Sequence, residues 1–441
     1  MTALALLLVA AAAPLVSRRL TADVFSPAAV MVSAWCATLG LLALDLLPYR
    51  PLAPATAALI AGAVALFVAG AIAGAWLVER RPVRDAPVVR LSHPALVANG
   101  AAVLGLVGVA WFFTAVVSRV GWEIFSQGPE LRHKLGTHVI PSDYLTLQFF
   151  CVVAPLLAWA SYLTGTRFRW WQLLLPACAA LGTLVTTDRT QFFTILLSGF
   201  FAYCFRRGRD LATGRLLLLI VVAPVILIAN FIAVGIWTGR TAATTAVNLQ
   251  FPPADPGTLR QRVQDATQPG AVIYLYATCS YPALDLLISE APAGASGAYT
   301  LYPVVRLLQR AGIVRSPVST DVPPFVRIER AGAPPLIANS FTFLYYPWQD
   351  FGWWGALGYS ALVGGLGGAA HAWARRRRSS AARVLVAGQL ATAVALTFFV
   401  NKFSNTASWY FLACTLAPFV VTWLRTRVTR SRAMATPAAG A

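Results

Sequence analysis

Long apolar stretches separated by short polar loops make up most of this sequence. Each stretch approaches the ~20 mostly apolar residues that an α-helix needs to cross a bilayer. The first could instead be the apolar region of a signal peptide, but it lacks a basic start and Ser17-Arg18-Arg19 is a poor cleavage context, so we interpret it as a short span. The pattern predicts roughly eleven spans, at about 2–16, 25–47, 54–78, 95–117, 144–164, 172–187, 191–205, 215–236, 351–373, 382–400 and 409–424.

Composition also indicates a membrane protein. The chain has 441 residues, of which 58% are hydrophobic and only 12% charged, and its mean hydropathy is +0.66. These values are too apolar for an ordinary soluble domain. We therefore predict an all-α polytopic membrane protein with four segments: N-terminal transmembrane helices at 1–236, a large extracytoplasmic loop at 237–349 that contains helices, C-terminal transmembrane helices at 350–424 and a cytoplasmic tail at 425–441.

The arginines predict the orientation. If the N-terminus lies outside and each window crosses once, the basic segments "SRRL", "ERRPVRD", "TRFRW", "RRGRDLATGR", "ARRRRSSAAR" and "RTRVTRSR" all fall in the cytoplasm, as the positive-inside rule requires. The C-terminus is then also inside. The net charge of +19 is explained by this topology and by anionic membrane lipids. A nucleic-acid partner is not expected, because no basic soluble domain, zinc-ligand spacing or aromatic platform is present.

The predicted extracytoplasmic loop at 237–349 is long, and a loop of that length without structure would be unusual, so helices are predicted within it. The segments "DPGTLRQRVQDATQ", "GAVIYLYATCSYPALDLLISE" and "TLYPVVRLLQRAGIV" are the candidates, and the second could dip into the membrane surface. Arg306 and Arg310 are four residues apart in the third segment and should project from one helix face.

Two other outward-facing segments carry candidate chemistry. The loop "SRVGWEIFSQGPELRHKLGTHVIPSD" places Arg132 and His138 beside aromatic residues, which suits an anionic ligand or simple interfacial anchoring. In "LVTTDRTQFFTILL", Asp188 and Arg189 interrupt an apolar stretch. Ionisable residues at membrane depth are usually functional, although Asp188 could serve only to neutralise Arg189.

A third candidate site is the segment "NSFTFLYYPWQDFGWWG". Its single carboxylate, Asp350, could cap the N–H groups at the start of a helix or could take part in catalysis. Capping leaves the preceding amide, hydroxyl and aromatic side chains unexplained. These residues are typical of a sugar-facing surface: Asn339, Thr342, Tyr345, Tyr346 and Trp348.

The order of "SQGPELRHKLG", "TTDRTQFF", "YLYATCSYPALDLLI" with "YTLYPVVRLLQRAG", and "NSFTFLYYPWQDFGWWG" resembles the Wzy-type O-antigen polymerases, which polymerise oligosaccharide repeat units. The resemblance covers roughly residues 120–375. It implies a GT-C-type glycosyltransferase of the cytoplasmic membrane that uses neither a metal nor a cofactor. The enzyme would transfer a glycan from polyprenyl diphosphate onto a lipid-linked repeat unit at the outer face. A chain-length regulator and a flippase are the protein partners that the family suggests.

The resemblance also implies roles for single residues. Arg189 is the first choice for stabilising the diphosphate leaving group, followed by Arg132, Arg240, Arg306 and Arg310. The base that deprotonates the acceptor hydroxyl would be Asp350, Glu290 or His138, and Asp350 is preferred. The predicted catalytic residues are therefore Asp350 and Arg189. The predicted sugar-binding residues are Asn339, Thr342, Tyr345, Trp348, His138 and Glu290.

Two other functions remain open. An O-antigen ligase uses the same donor and differs in its acceptor. A flippase or transporter would use the external arginines only to bind an anionic lipid-linked substrate. Transporters typically show inverted repeats and broken helices at the membrane midplane, and neither is visible here. Charged residues that gather outside the spans favour an enzyme.

Overall fold

The computed structural model describes most of the membrane-embedded chain. The described residues are 2–21, 23–47, 49–82, 89–122, 147–185, 189–207, 256–258, 270–290, 294–314, 326–330, 333–338 and 340–435, together with isolated positions between 210 and 292. Thirteen α-helices and one hairpin are defined within these ranges.

The helices follow the predicted windows closely. Proline occupies the first turn of α2, α3 and α4, where its missing N–H leaves no hydrogen bond unmade. The window 215–236 lies almost wholly outside the described residues, and every other window contains a helix. The helices are α1 (Thr2–Thr21), α2 (Pro27–Leu42), α3 (Pro54–Glu79), α4 (Pro94–Val120), α5 (Phe150–Leu163), α6 (Leu174–Val185), α7 (Arg189–Arg207), α8 (Ala271–Thr278), α9 (Ser280–Ile288), α10 (Tyr302–Arg310), α11 (Tyr345–Arg375), α12 (Ala381–Ala395) and α13 (Thr406–Ala435).

Length and apolarity identify a helical membrane protein. In the described part of the chain, the helices long and apolar enough to cross a membrane are Thr2–Thr21, Pro54–Glu79, Pro94–Arg119 and Thr406–Thr429. Shorter apolar helices include Pro27–Leu42, Phe150–Leu163 and Ala381–Ala395. Outward-facing side chains such as Leu4 and Leu96 are 64% and 71% exposed, which suits lipid rather than water as the solvent. The eleven-span topology and the GT-C fold stay predictions.

One compact unit contains Met1–Arg80, Gly208–Ala372 and Leu390–Ser408. Its centre is a set of buried aromatic rings in edge-to-face contact. Trp35 lies 5.6 Å from Tyr281 and 5.8 Å from Phe343, and its Nε1–H donates to Thr397 Oγ1 at 2.8 Å. Because the polar atoms of these large side chains have partners, the rings can be buried without an unpaired donor.

Glycines bring α3 and α11 into backbone contact in this unit. A Cβ atom added to Gly364 would lie 2.1 Å from the carbonyl oxygen of Phe67, and one added to Gly368 would lie 1.9 Å from that of Ala71. Small residues at such spacing allow membrane helices to pack closely. At the far end of α11, His371 Nε2 lies 2.9 Å from the buried carboxylate of Asp23.

The second unit contains Arg81–Arg207, Trp373–Gln389 and Trp409–Ala441. Helix α4 packs against α5 through Gly105, where an added Cβ would lie 2.6 Å from the backbone nitrogen of Cys151. Trp159 on α5 donates its Nε1–H to the carbonyl of Gly199 on α7 at 2.9 Å. These contacts again place small residues where helices meet.

In the second unit, one of the predicted cytoplasmic basic segments contacts another and the end of α7. Arg376 Nη2 donates to the carbonyl of Arg81 at 2.8 Å, and Arg378 Nη1 donates to that of Phe205 in the last turn of α7 at 2.9 Å. Arginine at a helix C-terminus satisfies free carbonyls and suits the helix dipole. The segments that the positive-inside rule assigns to one side thus contact each other.

A two-stranded antiparallel hairpin, which the sequence pattern did not predict, lies within the large loop. Strand β1 (Val326–Arg330) pairs with β2 (Ala333–Ala338), with Val326 opposite Ala338 and Ile328 opposite Leu336. Val326 and Ile328 are buried, and Val326 packs with Leu287 of α9 and with Tyr345. The hairpin therefore covers the start of α11.

Candidate functional site

The candidate site surrounds the N-terminal end of α11. The backbone at Gly352 has φ 66° and ψ −152°, so the helix breaks there and starts again. Only glycine adopts such a conformation without strain, because a Cβ would clash with the backbone. The break separates the polar and aromatic segment Tyr345–Phe351 from the apolar remainder of α11.

Asp350 holds a loop from an earlier part of the chain. Its Oδ2 accepts a hydrogen bond from the backbone N–H of Thr300 at 2.6 Å, and its Oδ1 accepts one from Tyr299 at 3.3 Å. The side chain is only 5% exposed. Asp350 therefore caps N–H groups 50 residues earlier in the chain, rather than those of its own helix. A buried carboxylate needs such partners.

Further backbone bonds fix the same loop, residues 294–301. The N–H of Gly294 donates to the carbonyl of Gln349 at 3.0 Å. From the other side, Ser404 Oγ donates to the carbonyl of Thr300 at 2.7 Å. Asn401, in the connection between α12 and α13, donates to Ser404 Oγ at 2.9 Å and to the carbonyl of Phe343 at 3.2 Å. Buried polar side chains thus link three distant segments of the chain.

Next to this buried network lies the tyrosine cluster, which consists of Glu290, Tyr299, Tyr302, Phe341, Tyr345 and Tyr346. The rings of Tyr299 and Tyr346 stack with centroids 6.4 Å apart. Phe341 stacks on Tyr345 at 4.7 Å, and Tyr345 contacts Tyr346 at 5.4 Å. Tyr345 is buried, whereas Tyr299, Tyr302, Phe341 and Tyr346 are partly exposed. The cluster therefore offers phenol groups and ring faces at its surface.

Glu290 supplies an exposed carboxylate to the cluster. It lies just beyond α9, where its N–H donates to the carbonyl of Leu287 at 3.2 Å. Burial raises the pKa of the Tyr345 phenol, and the nearby tyrosines and the Glu290 charge raise it further. Burial also raises the pKa of Tyr346, with a smaller effect from Tyr302. Both phenols therefore stay neutral at physiological pH and can donate hydrogen bonds.

Thr300, which binds Asp350, and Trp348, two residues before Asp350 in the chain, each carry a buried polar atom. In the described part of the chain, Thr300 Oγ1 and Trp348 Nε1 have no hydrogen-bond partner, although both residues are more than nine-tenths buried. Such groups are uncommon in native structures and often mark sites where a polar ligand group or water is bound.

The structure gathers some of the predicted site residues. Asp350, Tyr345 and Glu290 lie together in or below the tyrosine cluster, and Arg306 and Arg310 are exposed on α10, which begins three residues after Tyr299. Thr342 is completely buried and Trp348 is 8% exposed. The partly exposed rings of this segment are instead Phe341 and Tyr346. A sugar-binding role for Thr342 and Trp348 stays a prediction.

Other predicted residues lie outside the described part of the chain. These are Arg132, His138, Arg240 and Asn339. Arg189 is the first residue of α7, but its side chain is outside the described atoms. Their proposed roles stay predictions.

Sequence reasoning did not single out several residues of the site. Tyr299 and Tyr302 occur in "YTLY", and only the arginines of the following helix were predicted as site residues. Asn401, Lys402 and Ser404 are buried in "NKFSN", a polar segment between apolar helices. That interruption was a usable signal, since polar residues buried among membrane helices need partners and often have a function.

Comparison of the chain with models of protein families, with curated proteins and with solved structures finds no match. The functional assignment therefore depends on the site itself.

Proposed function

We propose that this protein is a polysaccharide polymerase that transfers a polyprenyl-diphosphate-linked glycan onto a lipid-linked oligosaccharide repeat unit. The observation that carries the proposal is the tyrosine cluster, with its exposed carboxylate, at the start of an apolar helix. Sugars offer apolar ring faces and many hydroxyl groups, and tyrosine presents an apolar ring with a polar end. A cluster of this kind beside lipid suits a substrate that is part sugar and part lipid.

The proposed reaction is a single glycosyl transfer. The acceptor hydroxyl oxygen attacks the anomeric carbon of the donor sugar, and the bond between that carbon and the diphosphate oxygen breaks. The diphosphate leaves with the bonding electron pair, and the hydroxyl proton passes to a carboxylate. Arginines near the diphosphate stabilise the charge that grows on it. Arg306 and Arg310 are described candidates for this role, and Arg189 remains the first choice from sequence.

Glu290 fits the role of base better than Asp350. Both carboxylate oxygens of Asp350 already accept backbone hydrogen bonds, and its side chain is buried. Glu290 is exposed beside phenol groups that can orient an acceptor sugar. A general base must reach the proton that it removes, which favours the accessible carboxylate. In this assignment Asp350 positions the loop that carries Tyr299.

Reconstitution tests the reaction directly. The purified chain in lipid vesicles is given a short polyprenyl-diphosphate oligosaccharide, with no added metal and with EDTA, and the products are separated on a gel. We expect a ladder whose steps equal one repeat unit. Transfer only to a different acceptor lipid would indicate a ligase. Movement of substrate across the bilayer with no new glycosidic bond would indicate a transporter.

The same assay tests Glu290. Replacement Glu290→Gln keeps the size of the side chain and removes its basicity, so we expect turnover to fall by about 10²–10⁴, the usual contribution of general acid–base catalysis. Thermal stability should not change, because the side chain is exposed. Glu290→Asp, which keeps the carboxylate, should retain part of the activity. Normal polymerisation by the Gln variant would show that Glu290 is not the base.

A further inference from the structure

Helix α10 exposes an unusual number of large apolar side chains. On and beside this helix, Leu301, Val304, Leu307 and Ile313 are 53%, 52%, 65% and 70% exposed. Exposed apolar side chains are common when scattered, but a contiguous group usually marks an interaction surface.

The exposed side chains form two parallel strips. Val304 and Leu307 are three residues apart and share one side of the helix, while Arg306 and Arg310 lie one turn apart along the adjoining side. Both arginines are exposed, and Val305 and Gln309 on the remaining side are half-buried. The helix therefore presents an apolar strip bordered by a basic strip, the arrangement typical of helices that lie in a membrane interface.

The apolar strip is continuous with the lipid-facing side of α11. An atom at the Cβ position of Gly297 would lie 3.1 Å from Phe351 Cζ and 3.7 Å from Leu301 Cδ1, so both side chains lie beside Gly297. Phe351 and Trp354, where α11 begins its apolar part, are 52% and 80% exposed. Further along α11, Leu366 is 64% exposed. In a membrane protein this side of α11 faces lipid, so the neighbouring strip of α10 lies at the same boundary.

We propose that α10 is an interfacial helix that lies in the headgroup layer of the membrane. Leu301, Val304 and Leu307 would enter the upper acyl region, and Arg306 and Arg310 would contact lipid phosphates. Tryptophan at the start of a membrane helix, as at Trp354, marks the same level. The helix would thereby hold Tyr299 and Tyr302 at the height of the lipid phosphates. This inference does not depend on the proposed polymerase activity.

Photo-crosslinking in the full-length chain tests the apolar strip. A diazirine-bearing amino acid replaces Leu307 in protein reconstituted in vesicles of phosphatidylcholine and phosphatidylglycerol, and mass spectrometry identifies the adducts after irradiation. Leu366 on α11 is the lipid-facing control, and Val305 on the inner side of α10 is the protein-facing control. We expect lipid adducts at Leu307 and Leu366 but not at Val305. Water adducts at Leu307, or cross-links from it to another part of the chain, would overturn the proposal.

The basic strip is tested by the double variant Arg306→Gln, Arg310→Gln with the probe still at Leu307. Because arginine near a membrane surface attracts anionic lipid, we expect phosphatidylglycerol to be enriched several-fold among the adducts of the parent chain. In the double variant its share should fall towards its proportion in the vesicles. Adduct yield at Leu366 should stay constant and so report an intact fold. An unchanged phosphatidylglycerol share would refute the role of the two arginines.

Discussion

A carboxylate directly before an apolar helix could cap that helix or take part in catalysis, and the contacts of Asp350 add a third role, the anchoring of a distant loop. Hydrogen bonds from Thr300 and Tyr299 occupy both of its oxygens and tie the 294–301 loop to α11. A charged acceptor makes such bonds stronger than a neutral one. At the residue scale, Asp350 is thus a structural link in the described chain, and the orientation of Tyr299 depends on it.

The replacement Asp350→Asn tests this link. Asparagine can accept one of the two hydrogen bonds, but its amide nitrogen would face the other N–H group as a second donor. We expect the free energy of unfolding to fall by about 1–3 kcal/mol, a typical effect for a buried bond to a charged group. Thermal denaturation in detergent measures this loss. Activity should fall by less than the hundredfold expected for loss of a catalytic base, because the variant only loosens the loop that carries Tyr299. Unchanged stability with activity reduced by a hundredfold or more would instead make Asp350 the catalytic base.

At the scale of elements, the contact between α3 and α11 depends on glycine at particular positions. Replacement Gly368→Ala would place a Cβ 1.9 Å from the carbonyl oxygen of Ala71, a distance that requires the backbones to separate. We expect a loss of at least about 1–3 kcal/mol, the usual effect of overpacking. The matched control is Gly358→Ala on the same helix, because an added Cβ there meets no atom within 4 Å. Melting temperatures of the two variants should differ clearly, and equal values would show that the helices do not pack this closely.

The sequence predicted the helices far better than their contacts. Apolar length places the ends of α3 and α4 within about three residues, because a span must match the bilayer. The window 351–373 missed the segment from Tyr345 to Asp350, since its polar and aromatic residues do not continue the apolar run. Average hydropathy does not show a helix that breaks at a glycine and changes there from polar and aromatic residues to apolar ones.

The candidate site was predicted in part, because one of its segments is unusual by itself. The polar and aromatic residues from Tyr345 to Asp350 stand out from the apolar sequence. In the structure Tyr345 and Tyr346 lie in the tyrosine cluster, and Asp350 binds the loop that carries Tyr299. The partners of Asp350, Tyr299 and Thr300, lie about 50 residues earlier in the chain. Such pairings are tertiary, and no local pattern encodes them. The burial of Thr342 was not predicted for the same reason, since composition alone does not show which side of a segment faces the core.

At the scale of the whole molecule, the charge distribution links the fold to the orientation in the membrane. Arg376 and Arg378 contact backbone atoms of Arg81 and Phe205, so two basic segments and the end of α7, far apart in sequence, lie together. The positive-inside rule assigns such short basic segments to the cytoplasm. The large loop, which carries Glu290 and Tyr299, is separated from them by spans in the predicted topology. The proposed polymerase function, with its glycan outside the membrane, requires this arrangement.

Reporter fusions test the predicted orientation. Alkaline phosphatase, which is active only outside the cytoplasm, is joined after Gly165, after Gly257 or at the C-terminus, and a fluorescent protein that folds only in the cytoplasm is joined at the same positions. We expect phosphatase activity at Gly257 alone and fluorescence at the other two, because an N-terminus outside and roughly eleven crossings leave the C-terminus inside. Active phosphatase at the C-terminus would mean an even number of crossings. Fluorescence at Gly257 would place the tyrosine cluster in the cytoplasm, where the repeat unit to be polymerised is not displayed, and the polymerase proposal would then fail whatever the roles of Glu290 and Asp350.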